Sequence, residues 1–196
     1  MGIIIEGLSR EDNKKLYDAI EKEGNAYGLA KIKITTFADG FIINAGHNSI
    51  KVSEKMPEIL NKGELEAAIA HEFSHICHRD PEKDILMAVP LVLLAILYTV
   101  LTDYYANNNY YWFILITPIV LIGVYFVGCI MLLHKWDRRC DREAVKKTSI
   151  SAMIGMLEKR KEHVKGIDPF HPSINNRIKW IRESGPKKHD DNGSGM

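Results

Sequence analysis

Two uninterrupted apolar runs dominate the hydropathy pattern: 17 residues from Ile85 to Leu101 and 23 from Tyr111 to Leu133, neither containing a charged side chain. At 1.5 Å rise per residue these reach roughly 25 and 34 Å, against a hydrocarbon core of about 30 Å. The pattern therefore predicts two membrane-spanning helices, about 85–102 and 111–133, kinked at Pro90 and Pro118. A soluble chain would have to wrap both helices in further apolar material, and 196 residues leave too little for that. The connecting segment Asp103–Trp112 is polar with flanking aromatics and holds no Lys or Arg, whereas Arg79, Lys83, Lys135, Arg138 and Arg139 border the other two ends. The positive-inside rule then places both termini in the cytoplasm of a two-span cell-membrane protein. Residues 1–24 lack the apolar core of a secretory signal, so the first span is expected to act as the insertion signal.

Outside the runs the periodicity changes. Asn61 followed by Glu64 reads as a capping box, and Leu65, Ala68, Ile69 and Ile76 follow at helical spacing. Pro81 disfavours helix at Asp80, which predicts a helix over 62–79. Ser9–Lys22 reads as a helix with Leu16 and Ile20 inward. Lys31–Phe37, Phe41–Ile43 and the stretch 47–53 read as short strands, with Gly40 and Gly46 at turns. An edge strand of that sheet offers main-chain groups to an extended peptide. The expected fold is mainly α with a small β-sheet (α+β). It divides into residues 1–80 with the sheet and metal helix, a hairpin over 84–133, a helical part over 134–186, and a polar, disordered tail over 187–196.

The predicted helix over 62–79 carries His71-Glu72-Phe73-Ser74-His75. Residues four apart lie one above the other on a helix, so both imidazoles can reach one zinc ion. Glu72 falls beside them, where it can take a proton from water, the arrangement of H-E-x-x-H metalloproteases. A hairpin that crosses twice returns the chain to the side of His71 and His75. A third ligand is therefore expected just after Leu133, where Asp137 and Asp141 share one helical face and Glu143 turns away.

Three blocks resemble the membrane-embedded zinc metallopeptidases of the HtpX and CAAX-prenyl-protease group: HEFSHICHRD at 71–80, the acidic segment after the hairpin, and His171-Pro172 followed by Arg177. The resemblance implies a zincin-like region of the H-E-x-x-H type, with one Zn2+ and a Glu-x-x-x-Asp pair followed by Ala. Aligning Asp141 and Ala144 with that Asp and Ala puts Asp137 in the Glu position, one methylene shorter. The other register makes Asp141 the ligand. Asp137 is preferred because its register keeps both acids, with Asp141 then orienting a ligand histidine. The resemblance also gives His171 a catalytic role, as donor to the developing oxyanion or as an occupant of the open metal position, and makes Arg177 a supporting residue. His78 is expected to support the site or to face solvent.

Remaining features narrow the picture. The formal charge is +1, which offers no footprint for nucleic acid, although Lys179, Arg182, Lys187 and Lys188 can meet anionic headgroups. Cys77, Cys129 and Cys140 have no paired spacing, so no disulfide framework is expected. The sequence thus predicts an integral-membrane zinc metalloendopeptidase acting at the cytoplasmic face on a polypeptide, itself a membrane or membrane-associated protein. The alternative is a weakly proteolytic sensor or interaction module with a structural zinc.

Overall fold

The computed structural model describes residues 2–38, 40–105, 111–164 and 170–184. The connecting tip with Asn108 and the tail over 187–196, with Lys187 and Lys188, lie outside them. The chain opens with strand β1 (Ile4–Glu6) and helix α1 (Lys14–Ala26), followed by β2 (Lys31–Phe37), β3 (Ile43–Gly46) and β4 (Ser49–Ser53). Helices α2 (Met56–Ile59), α3 (Lys62–Cys77), α4 (Asp80–Tyr105), α5 (Tyr111–Lys147), α6 (Ile150–His163) and α7 (Ile174–Ser184) complete it.

β2 shows why a sheet forms. Ile32 and Ile34 are buried while Lys31, Lys33 and Thr35 are exposed, the period-two pattern of a strand with one covered face. The sheet order is β1-β2-β4-β3, with β1 and β4 parallel to β2 and β3 antiparallel to β4. β1 was not foreseen, and the strand expected over Phe41–Ile43 begins only at Ile43. β3 occupies the edge nearest α3 and turns back into β4 through Asn48, whose φ is 47°.

α3 is the structural axis, buried on nearly every side from Glu64 to Ser74 and packed against α1, α5, α6 and β3. Both halves of its capping box form: Asn61 Oδ1 accepts from Glu64 N at 3.0 Å, and Glu64 Oε2 accepts from Asn61 N at 2.8 Å. The helix ends at Cys77 rather than 79 because Arg79 takes φ 54°, and Pro81 opens α4 instead of merely closing α3. α1 also departs from expectation. Its cap is Asn13, whose side chain accepts from Leu16 N, while Ser9 Oγ accepts from Glu11 N in a local turn that precedes the helix.

α4 and α5 pack as a hairpin, and Tyr125 Oη donates to the Met87 carbonyl across it. Their outer faces are uncovered: Ile85 is 75 % exposed, Val124 67 % and Met131 68 %. Among the described residues nothing covers these faces, and both helices are long and apolar enough to cross a membrane. α5 runs unbroken from the apolar segment into the polar stretch that packs on α3.

Candidate metal site

The packing of α5 on α3 brings three donor atoms together. Nε2 of His71 and Nε2 of His75 lie 3.2 Å apart. Oδ1 of Asp137 stands 3.3 Å from the His75 nitrogen and 3.7 Å from that of His71. Ligands held tetrahedrally at about 2.0–2.1 Å from zinc stand about 3.3–3.4 Å from one another, so the triangle has the dimensions of a zinc face. Asp137 is 3 % exposed, and its Oδ2 is buried without a hydrogen-bond partner. Two imidazole nitrogens, a carboxylate and an orphaned carboxylate oxygen together fit a divalent cation.

Each histidine has an acid behind its ring. His75 Nδ1 lies 3.0 Å from Asp80 Oδ2. Asp80 also accepts from Arg139 Nη2 at 2.5 Å and Lys83 Nζ at 3.2 Å. His71 Nδ1 lies 2.9 Å from Asp141 Oδ1, close in distance but bent from the N–H direction. Asp141 is gripped by both arms of Arg177: Nε donates to Oδ2 at 2.9 Å and Nη2 to Oδ1 at 2.5 Å. Arg177 is 1 % exposed.

This arrangement biases the cluster towards positive charge. Burial alone would depress the His71 imidazolium, but Asp137 and Asp141 outweigh it and push the group up to about 9. Burial likewise opposes charge on His75, and Asp137 and Asp80 outweigh it, pushing it up to about 12. The field that favours a proton on these rings also favours a bound cation.

Glu72, 6 % exposed, points beside the triangle, and its Oε2 accepts from the main-chain N–H of Ala45 on β3 at 2.7 Å. Asn44, Ala45, Glu72, Asp84, Arg160 and His171 surround the histidines in a cleft of about 220 Å³. His171 stands exposed at its rim.

The structure thus brings together His71, Glu72, His75, Asp137, Asp141 and Arg177, with His171 at the edge. His78 is directed elsewhere: its Nε2 meets Glu143 Oε1 at 2.8 Å, and Ser74 Oγ donates to Glu143 Oε2 at 2.5 Å. Sequence reasoning used Asp80 as a helix stop and as the end of the 71–80 block, but gave it no role at the site. Its side chain reaches back to His75 because Arg79 reverses the chain, and the Asp-Pro step after the two histidines was the available signal. Cys140 Sγ, 3.9 Å from Asp80, forms with His75 and Asp80 an overlapping donor group on the back of His75.

Comparison with known proteins shows what the chain is similar to. The family model for peptidase family M48 matches residues 14–184. A protease HtpX homolog of Bacteroides fragilis is 30 % identical over 110 residues, covering 53 % of this chain and 33 % of that protein. The Pyrococcus abyssi protease HtpX homolog is 34 % identical over 88 residues, 42 % of this chain and 30 % of that one. For Pelotomaculum thermopropionicum the figures are 35 % over 81 residues, 37 % and 28 %. The matched stretches span about a third of the length of these relatives.

Proposed function

Because this chain belongs to peptidase family M48, we propose that it is a membrane-anchored zinc metalloendopeptidase, with His71, His75 and Asp137 holding the ion. The observation that carries this reading is the triangle of three donor atoms with edges of 3.2, 3.3 and 3.7 Å. Zinc, when bound there, supplies Lewis acidity to a scissile carbonyl and makes water more acidic.

The chain's own groups do the rest. Glu72 takes the proton of the attacking water and hands it to the departing amine. The Ala45 N–H holds the Glu72 carboxylate in place at 2.7 Å. β3, an edge strand lining the same cleft, binds the substrate in extended form through main-chain hydrogen bonds. Asp80 and Asp141 fix the ring orientations of His75 and His71, and Arg177 keeps Asp141 ionised. His171 at the rim donates to the oxyanion as it develops.

The basic residues flanking both apolar runs support two spans with the termini and the site at the cytoplasmic face, and hence substrates that are membrane or membrane-associated polypeptides. The deciding experiment compares wild type with Glu72→Gln in detergent. Zinc content should be equal, and peptide hydrolysis should fall by about 10²–10⁴-fold in the variant. Undiminished cleavage would remove Glu72 from the mechanism.

A further inference from the structure

Beside the polar cleft lies a larger one that the proposed chemistry leaves unused. It holds about 490 Å³, within the roughly 300–1,000 Å³ of ordinary ligand pockets. α4 contributes Met87, Ala88 and Leu91, and α5 contributes Phe126, Cys129 and Leu133. Phe170, next to His171, closes one side by meeting Phe126 edge-to-face at 6.1 Å between ring centres. The two clefts adjoin, since His75, Asp80, Asp84 and His171 line both and Asp137 lines the apolar one.

We propose that this apolar cleft is the subsite for a large apolar side chain flanking the scissile bond, so that the anchor helices themselves select the substrate. The proposal rests on the proteolytic reading above and names what that site prefers. Adjacency identifies the occupant: the space between α4 and α5 is bounded at one end by His75 and Asp137. A polypeptide laid along β3 reaches this space with a side chain, because Asn44 and Ala45 of β3 line the polar cleft and Asp84 and His171 line both clefts. The uncovered faces of Val89, Leu93 and Phe126 leave the approach within the plane of the bilayer.

The test uses the full chain in phosphatidylcholine nanodiscs. Quenched fluorescent peptides carry Ala, Leu or Phe in turn at each position around the cleavage point, which mass spectrometry locates. Wild type should show one flanking position where Leu or Phe exceeds Ala in kcat/KM by about 10–200-fold. Ala88→Phe, which fills the cleft, should collapse that ratio to about threefold or less, whereas Val124→Phe on the outer face should preserve it. No preference at any position in wild type overturns the proposal, and so does a ratio that survives Ala88→Phe.

Crosslinking on Glu72→Gln gives a second, independent readout. A peptide bearing a diazirine-substituted leucine should label Met87, Leu91 or Phe126. Labelling there by a diazirine acyl phospholipid that the peptide does not displace would make the cleft a lipid site and overturn the proposal. Peptide labelling in Glu72→Gln, when wild type also hydrolyses nothing, would remove the proteolytic reading and leave the cleft as a peptide-binding site only.

Discussion

Replacing Arg177 with Met tests the buried ionic chain behind His71. The guanidinium is 1 % exposed and Asp141 2 %, so removing the cation strands a carboxylate that solvent cannot reach. Breaking a buried pair from one side costs about 3–5 kcal/mol, a large share of the roughly 5–15 kcal/mol that holds a folded domain together. For a chain of this size each kcal/mol moves Tm by about 2–4 °C, so Arg177→Met should melt roughly 6–20 °C lower. The double variant Arg177→Met/Asp141→Leu removes both charges at once and should regain most of that loss, because nothing is left buried and unpaired. It should still hold zinc about 10–100-fold more weakly, since His71 has lost the acid behind its ring. The assay is thermal melting in detergent with and without chelator, alongside zinc competition against a fluorescent indicator. A Tm for Arg177→Met within about 3 °C of wild type would refute the buried-pair reasoning. Unweakened zinc binding in the double variant would refute the role given to Asp141.

Other perturbations probe neighbouring parts of the molecule. Asp137→Ala should strip the metal while Asp137→Glu retains it, read as zinc stoichiometry under matched chelator. Full zinc in Asp137→Ala with loss in Asp141→Ala would make Asp141 the ligand. Asp80→Asn should weaken zinc binding by about 10–100-fold, and equal affinity would separate Asp80 from the metal site. Gly155→Ala should lower stability by about 0.5–2 kcal/mol in denaturant titration, because a Cβ at Gly155 meets Glu64 Oε1 at 2.6 Å and disturbs the cap of α3. Cysteines at Lys62 and Asn108 should label from opposite sides of intact cells, Asn108 from outside; the reverse pattern would put the site on the outer face.

Local rules made part of this protein legible. The capping box at Asn61, the alternation in β2 and the four-residue spacing of His71 and His75 each depend on neighbours within a few positions, and each took the expected form. Asp137 was within reach because α5 continues the second apolar run with a helical period. Asp80 was hidden because its partner depends on a single positive φ at Arg79, which no pattern of apolar residues encodes. β1 was hidden because three residues are too few to show alternation, and its pairing with β2 is made across a helix. The start of α1 was misplaced because Ser9 and Asn13 are both good caps, and the choice between them rests on how Leu16 reaches the core. The meeting of Phe126 with Phe170 joins segments 44 positions apart, and only the assembled packing brings them together.

The division of the donor set across the hairpin imposes an order on biosynthesis. His71, Glu72 and His75 leave the ribosome first, and Asp137 follows only after 61 further residues, most of them apolar. Two imidazoles on α3 are an incomplete set for a catalytic zinc centre, which takes three protein ligands. Asp137 reaches them only once the hairpin has returned α5 to the side of α3. On the proposed reading, a nascent chain whose hairpin has not yet inserted carries Glu72 without a complete centre for it to serve. On the same reading, entry of the hairpin into the bilayer is what closes the donor set, so the centre forms only in a chain that has already inserted.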